Sequence, residues 1–238
     1  MKNVNKVRLT RNTMLTAILA AAFALTFIRS INFPAAAESR DTNKPAKVGA
    51  AIPAGTYNID PAHSIIGFAV RHFEINWVEG RFKDFNGVIN YNAQDVTKST
   101  VEFTAKIGSI DTGVDQRNAH LQTADFFDVA NYPEMKFVST KIEKNGKDKY
   151  VLHGDLTMKG VTKQIEFPFA MTGAIKDPFG NTRFGIEAHT VVNRRDYGIN
   201  YGKTLAGGGL DVGNEITINF NLEAVKPEPK TNDGAASK

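Results

Sequence analysis

The sequence of 238 residues contains no cysteine. This absence excludes disulfide bonds, cysteine-ligated zinc sites and thiol nucleophiles, and it excludes attachment of a lipid to an N-terminal cysteine. The fold must therefore be stabilised by a packed hydrophobic core, and the chain is long enough to form one.

A membrane-spanning apolar run is also lacking near the N-terminus. Residues 14–28 are apolar, but these 15 residues fall short of the ~20 that a spanning helix needs. The run follows four basic residues and precedes a small-residue AAA at 35–37, the order found in secretory signal peptides. We therefore expect a signal peptide at residues 1–37, cleaved after Ala37; an uncleaved anchor is the alternative.

An excess of positive charge is absent outside this segment. Residues 1–37 hold five of the 29 Lys and Arg residues and no acid, so 24 bases face 25 acids in the remainder. A nucleic-acid-binding surface would need a clustered basic face. We therefore predict no nucleic-acid partner, and no stable membrane insertion once the signal peptide is removed.

Motifs for nucleotide binding and hydrolysis are missing as well: there is no GxGxxG, Walker, GxSxG or HExxH sequence. The stretch DPAHS supplies Asp60, His63 and Ser64, the residue types of a hydrolytic triad. Neighbouring side chains of a strand point to opposite faces, however, and triads are assembled from distant segments. No two histidines have the spacing of a helical metal site, so we predict neither a catalytic nor a metal site.

The pattern that is present is an alternation of apolar and polar residues. It is clear in VEFTAK (101–106), KQIEFPFAM (163–171) and EITINFNLEA (215–224), and it predicts strands with one dry and one wet face. Pro168 within such a run indicates a sheet edge or a bulge. The eight predicted strands are 63–72, 78–92, 99–110, 134–143, 149–158, 161–175, 182–193 and 214–225.

Short connections with turn residues, such as Asn145-Gly146 and Lys159-Gly160, predict antiparallel pairing. In the second run the alternation slips between Phe82 and Phe85, which indicates a bulge or sharp bend. Two segments lack the alternation. Residues 115–133 predict a short helix at 115–122 and a turn at 123–128, and residues 193–213 predict a long loop.

These elements assign residues 56–225 to one domain, preceded by a flexible linker at 38–55 and followed by a disordered tail at 226–238. Two architectures hide eight one-sided strands: a sandwich with a solid core, or a closed barrel. The 13 phenylalanines after residue 37 suit a core or a ligand pocket, and an eight-stranded barrel has room for one small ligand.

Several stretches resemble, in order and spacing, the YceI-like family. They are YNIDPAHSIIGFAVRH (57–72), GRFKDFNGVI (80–89), SIDTGVDQRNAHLQTADFFDVANYPEMKF (109–137), GDLTMKGVTK (154–163) and NRRDYGI (193–199). The resemblance implies an all-β fold, an extended eight-stranded antiparallel lipocalin-like barrel with a short helical segment after the third long strand. It also implies export to the periplasm, a polyisoprenoid or other long amphiphile bound inside, and no established catalytic activity.

The resemblance also implies site residues. Those predicted to line the lipid tunnel are Phe68, Phe82, Phe103, Phe126, Phe127, Phe137, Phe167, Phe169 and Phe184. The polar candidates for the tunnel mouth are His63, His72, Arg117, His120 and Arg194. Asp60 and Asp125 are expected to be caps and turn formers. No cofactor is expected apart from the bound isoprenoid or other lipid, and homodimer formation is a further expectation.

Three functions fit these observations. The leading hypothesis is a periplasmic carrier that holds a polyisoprenoid, an isoprenoid quinone or a fatty-acid derivative in the barrel. The alternative is a periplasmic enzyme acting on a lipid or isoprenoid head group, which would require at least two of the polar candidates to converge. A stress-response protein that buffers lipid or quinone would share the chemistry of the carrier.

Overall fold

A computed structural model describes residues 50–227. These residues form twelve β-strands and one α-helix, α1, which follows β6. The elements are β1 (Gly55–Ile59), β2 (Ile65–His72), β3 (Asn76–Phe82), β4 (Phe85–Tyr91), β5 (Thr100–Lys106), β6 (Ile110–Asp111), α1 (Asp115–Leu121), β7 (Glu134–Lys144), β8 (Tyr150–Met158), β9 (Val161–Met171), β10 (Ile175–Lys176), β11 (Thr182–Asn193) and β12 (Val212–Lys226).

Eight of these strands close into an antiparallel barrel in the order β11-β9-β8-β7-β5-β4-β1-β12, and β12 pairs again with β11. The long strand β12 completes the closure, because it pairs with β11 on one side and with β2 and then β1 on the other. The predicted eight-stranded barrel with a helix after the third long strand is thus confirmed, and the sandwich is excluded.

The other four strands arise where long strands are interrupted. Between β1 and β2 the chain makes a 3-10 turn at Pro61–His63, capped by the Asp60 carboxylate, which accepts from the N–H of Ala62 (3.0 Å). The predicted run 78–92 breaks between Phe82 and Phe85, where the alternation slips, into β3 and β4. The strand β1 itself was not among the eight predicted runs.

The inward faces follow the predicted alternation. Ile216, Ile218, Phe220 and Leu222 of β12 all face the barrel interior. Pro168 pairs with Val151 of β8 on one side, whereas the pairing of β9 with β11 is confined to residues 169–171. A residue without an N–H therefore sits where β9 has only one partner, as the prediction of an edge requires.

The predicted helix and loop are present with small differences. Helix α1 ends at Leu121, and its Arg117 donates to the hydroxyl and the carbonyl oxygen of Thr112 (2.8 and 2.7 Å), which fastens the helix to the end of β6. The segment after β11 begins with a 3-10 turn at Arg194–Tyr197 and contains an isolated bridge between Thr204 and Leu210.

The packed region extends further towards the N-terminus than Thr56. Ala50 forms a bridge with Ala174, and Ile52 is buried, so the last residues of the predicted linker contact the barrel. The predicted signal peptide, the rest of the linker and nearly all of the predicted tail lie outside the described residues. Within residues 50–227, no helix has the length and apolar character to span a bilayer.

Candidate functional site

The barrel interior contains two apolar cavities. The first has a volume of about 100 Å³ and lies towards the end of the barrel where β12 finishes, since Ile59, Phe184 and Leu222 line it. Its polar lining residues are Tyr91 and Ser99; Glu102 also adjoins it, but this residue is exposed on the outer face of β5. We call this cavity the first chamber.

The second cavity has a volume of about 110 Å³ and lies towards the start of β12, where Val212 and Ile216 line it. The helical segment contributes Leu121, and Arg194 is its one charged lining residue within the described chain. We call this cavity the second chamber.

The two chambers are adjacent, because Met135, Leu156 and Ile218 line both of them. We call these three residues the waist. Ile218 is on a predicted inward face, whereas only phenylalanines were predicted to line the tunnel. An apolar volume of ~100 Å³ is of the size that accommodates one small apolar molecule, so a long chain would need both chambers.

The nine predicted tunnel phenylalanines all line one chamber or the other. Five line the first and four the second. Gly154 provides the space for Phe137, since a Cβ at that position would lie 2.3 Å from its ring. The first-chamber residues are Phe103, Phe137, Phe167, Phe169 and Phe184, and the second-chamber residues are Phe68, Phe82, Phe126 and Phe127.

Among the polar candidates, Arg194 has a distinct environment. Its side chain is 3 % exposed, and its guanidinium donates to the carbonyl oxygens of Gly213, Ile199 and Val212 at 2.8, 2.8 and 2.9 Å. These bonds use three of its five N–H groups. Burial lowers the pKa of Arg194, although a guanidinium stays charged. A cation with neutral partners therefore lines an apolar chamber.

Tyr197 lies in the same 3-10 turn as Arg194 and is 2 % exposed. Its hydroxyl has no hydrogen-bond partner within residues 50–227, and burial raises its pKa to about 12. A buried hydroxyl without a partner is uncommon and costs free energy. The sequence offered no signal for this residue, because an unsatisfied hydroxyl depends on packing in three dimensions.

His63 lies at the other end of the barrel, and its side chain is 62 % exposed. Its ring nitrogen is 2.9 Å from Asp60, and Asp60 also accepts from Arg183 (2.7 Å). Arg183 further pairs with Asp177 (2.7 Å) and Glu223. The ligand atoms of Asp60, His63 and Glu223 lie within 4.8 Å of one another, but the guanidinium already supplies the positive charge between the two carboxylates.

The Arg183 ion pairs set the charge state of this end of the barrel. Chiefly through the Arg183 hydrogen bond, the pKa of Asp60 falls from 3.8 to about 2, and that of Asp177 falls likewise to about 2. The carboxylates in turn raise the pKa of Arg183. These groups connect the start of the barrel with β11 and β12, so their role is structural.

The remaining polar candidates are not assembled into one site. His72 is exposed at the end of β2 and its ring lies 4.1 Å from that of Phe73. His120 contacts Asp125 (2.9 Å) and packs edge-on against Phe126 and Tyr201. Arg117 holds α1 against the end of β6 through its hydrogen bonds to Thr112. Arg194 is thus the single polar candidate that lines either chamber.

Comparison with known proteins places this architecture in a family. Residues 57–224 match the model of the YceI-like domain. A UPF0312 protein of Photorhabdus laumondii is 40 % identical over 146 residues, which cover 60 % of this chain and 76 % of that relative. Protein YceI of Escherichia coli O6:H1 is 35 % identical over 148 residues, covering 61 % of this chain and 77 % of that protein.

Solved structures share the fold. The YceI protein of Campylobacter jejuni has 30 % identity and a TM-score of 0.57, with 66 % of this chain and 90 % of that chain covered. A polyisoprenoid binding domain from Saccharophagus degradans has 15 % identity and a TM-score of 0.54, covering 74 % and 100 %, and this likeness concerns the fold alone. By its family match and its relatives, the chain belongs to the YceI-like family.

Proposed function

We propose that the protein binds a long-chain amphiphile in the barrel and carries it in the periplasm after export. The cargo would be a polyisoprenoid, an isoprenoid quinone or a fatty-acid derivative. The observation that carries the proposal is the pair of adjacent apolar chambers, which together follow the axis of the barrel. The polyisoprenoid binding domain from Saccharophagus degradans, which shares the fold, supports the choice of ligand class.

The chambers provide the free energy of binding without specific polar contacts. Each CH₂ group transferred from water into an apolar site contributes about 0.8 kcal/mol. Methionine is flexible and polarisable, so Met135 at the waist is suited to moving aside for a chain that extends through both chambers. Recognition of the tail is therefore expected to tolerate differences in chain length and branching.

The head group is expected at the second chamber. Arg194 lines it, and its three carbonyl bonds leave two of its five N–H groups unused, whereas Glu102, beside the first chamber, is exposed on the outer face of β5. A guanidinium favours anionic or carbonyl oxygens. An amphiphile would thus lie with its polar end at Arg194 and its tail towards Phe184.

Solvent extraction and mass spectrometry of the purified protein test the proposal. We expect a long apolar molecule in stoichiometric amount, and we expect added isoprenoid to raise the melting temperature of extracted protein, since a ligand that binds only the folded state stabilises it. Protein that neither contains such a molecule nor responds to added lipids would refute the proposal.

A variant at the waist sharpens the test. Ile218→Trp places a larger side chain between the chambers and should abolish retention of the ligand. Val191→Trp is the matched control, because Val191 lies on the neighbouring strand β11 and is 55 % exposed. Circular dichroism verifies that both variants are folded. Equal ligand content in the two variants would contradict binding through the chambers.

The alternative of a head-group enzyme receives no support from the geometry. Within residues 50–227, no hydrogen bond joins any two of His63, His72, His120 and Arg194; His63 and His120 contact aspartates, and Arg194 contacts carbonyl oxygens. The arrangement therefore favours a binding protein. If one of these residues were catalytic, the wild type would turn over a lipid substrate, and the corresponding alanine variant would lose this turnover while it retained lipid. No detectable turnover in any form favours the carrier.

A further inference from the structure

The hairpin that joins β2 to β3 exposes a cluster of large apolar side chains. Phe73, Ile75 and Trp77 are 44, 80 and 44 % exposed, and they lie within five consecutive positions. We call residues 71–77 the hairpin tip. Isolated apolar residues are common on protein surfaces, whereas three large exposed ones on a single hairpin are typical of an interaction surface.

Turn chemistry does not account for these residues. Phe73 and Glu74 have φ angles of 50° and 62°. Tight hairpins with two positive φ values favour Asn-Gly or Asp-Gly, and a bulky side chain in this region is energetically unfavourable. A phenylalanine at the first position therefore costs stability that Asn would not, which indicates that its apolar surface has another use.

The hairpin tip is held in place rather than free. The N–H of Phe73 donates to the carbonyl oxygen of Asp211 (2.9 Å), and the N–H of Leu210 donates to Glu74 Oε1 (3.1 Å). The carboxylate of Glu74 is thereby directed towards the loop that precedes β12. What the tip presents to its surroundings is a preformed apolar surface.

Charged groups of both signs accompany the apolar surface, and they differ in their partners. The Arg71 guanidinium lies over the Trp77 ring at 4.4 Å from its centroid, and Arg195 donates to the amide oxygen of Asn214 (2.8 Å). Both guanidinium groups therefore have neutral partners, whereas the nearby carboxylates of Glu74 and Asp211 accept backbone N–H groups of the loop before β12. Tryptophan together with arginine is the combination found at the interface between a bilayer and water, where cations attract anionic head groups.

The hairpin tip is also next to the second chamber. His72 pairs with Val212, which lines that chamber and whose carbonyl oxygen accepts from Arg194. Val70, two residues before His72 on β2, lines it as well. A surface that meets the hairpin tip would therefore also meet the end of the barrel at which Arg194 lies.

We propose that the hairpin tip docks on an anionic lipid bilayer, with Phe73, Ile75 and Trp77 in the head-group region and the second chamber facing the membrane. Lipid is preferred to a second copy of this chain as the occupant, because a tryptophan stacked with arginine is typical of the bilayer interface and adjoins an apolar chamber. Docking goes beyond the proposed cargo binding and does not depend on it, since the residues involved are outside the chambers.

The protein carries its own reporter, because Trp77 is the only tryptophan in the sequence. With vesicles of phosphatidylethanolamine and phosphatidylglycerol, we expect its fluorescence to shift to shorter wavelength and to be quenched by brominated acyl chains. Vesicles of phosphatidylcholine alone should give a smaller effect. Emission that does not respond to the anionic vesicles would overturn the proposal.

Two full-length variants make the test specific. Ile75→Asp places a charge on the tip. It should raise the lipid concentration that gives half-maximal quenching by about tenfold or more, as expected for loss of one exposed isoleucine anchor. Phe179→Asp is the matched control: Phe179 is 86 % exposed and lies at the opposite end of the barrel, where Thr182 pairs with Lys226. Any binding through the N-terminal apolar segment is common to both variants.

The remaining outcomes also decide the question. Equal loss of quenching in both variants would refute a specific role for the tip. A blue shift that appears with rising protein concentration in the absence of vesicles, together with a dimer in sedimentation, would assign the tip to a second copy instead. Protein freed of lipid by solvent extraction and lipid-loaded protein should bind the vesicles equally well. Protein that binds vesicles but never holds a ligand would therefore refute the proposed cargo and leave the docking proposal intact.

Discussion

The two ends of the barrel each contain an arginine in a different electrostatic setting. Arg183, beside the first chamber, pairs with the carboxylates of Asp60, Asp177 and Glu223. Arg194, beside the second chamber, is more deeply buried and donates to three carbonyl oxygens. The first guanidinium is fully compensated by opposite charge, and the second is not.

This difference separates structural from ligand-directed use of the same side chain. A guanidinium among carboxylates contributes to folding and leaves no net attraction for a further anion. A guanidinium held by carbonyl dipoles is positioned at a cost in desolvation, and it still attracts an anion. The comparison predicts that the two arginines respond differently to substitution, to acid and to ligand.

The largest expected effect is on Arg194. Arg194→Leu leaves the carbonyl oxygens of Gly213, Ile199 and Val212 without their donors, and we expect a loss of roughly 3–5 kcal/mol in the free energy of unfolding. Urea denaturation measures the loss. Arg194→Lys retains the charge and should restore part of it. A loss below ~1 kcal/mol would show that these bonds contribute little.

Substitution of Arg183 should have a smaller effect. Its partners are partly exposed, so water can solvate the released carboxylates, and we expect Arg183→Gln to lower the free energy of unfolding by about 2 kcal/mol. It should leave the content of bound ligand unchanged, in contrast to Arg194→Lys, which should alter the preference for anionic head groups. Ligand loss in the Arg183 variant would remove the distinction between the two ends.

Lowering the pH should destabilise the end of the barrel that contains the Arg183 ion pairs. The folded-state pKa of Asp60 and Asp177 is about 2, below the usual 3.8, so their pairing stabilises the fold fully above about pH 5 and is lost as the pH falls towards 2. Thermal unfolding between these pH values should show the decline in the wild type, and Arg183→Gln should flatten it. An unchanged slope in that variant would assign the acid sensitivity to other carboxylates.

The smallest effect is expected at Tyr197. Because its hydroxyl is buried without a partner, Tyr197→Phe removes an unsatisfied group at nearly constant volume and should stabilise the protein by up to about 1 kcal/mol. The melting temperature measures this gain. A destabilised phenylalanine variant would mean that the hydroxyl is satisfied in solution.

The sequence predicted the inward surface of the barrel better than its polar residues. Alternation determines which face of a strand is dry, so Phe103, Phe167 and Ile218 could be placed inside from local pattern alone. Closure by β12 against β11 and the breaks at Asp60 and between Phe82 and Phe85 depend on pairing over long separations. The slip in alternation was the local sign of the second break.

The polar residues depend on contacts that no local pattern encodes. Arg183 and Asp60 are separated by 123 positions in the sequence, and their ion pair follows from strand register. His63 and Arg194 therefore looked equivalent as mouth candidates although they lie at opposite ends of the barrel. The volume of the chambers likewise depends on how side chains of several strands pack together.

The waist has a consequence for kinetics. A ligand that occupies both chambers must withdraw its tail past Met135, Leu156 and Ile218 before it is released. The dwell time then increases with the length of the tail, whereas the rate of initial capture does not, in keeping with the general rule that affinity differences reside mainly in dissociation. Such a barrel would select its cargo by how slowly it escapes, retaining long chains and releasing short ones.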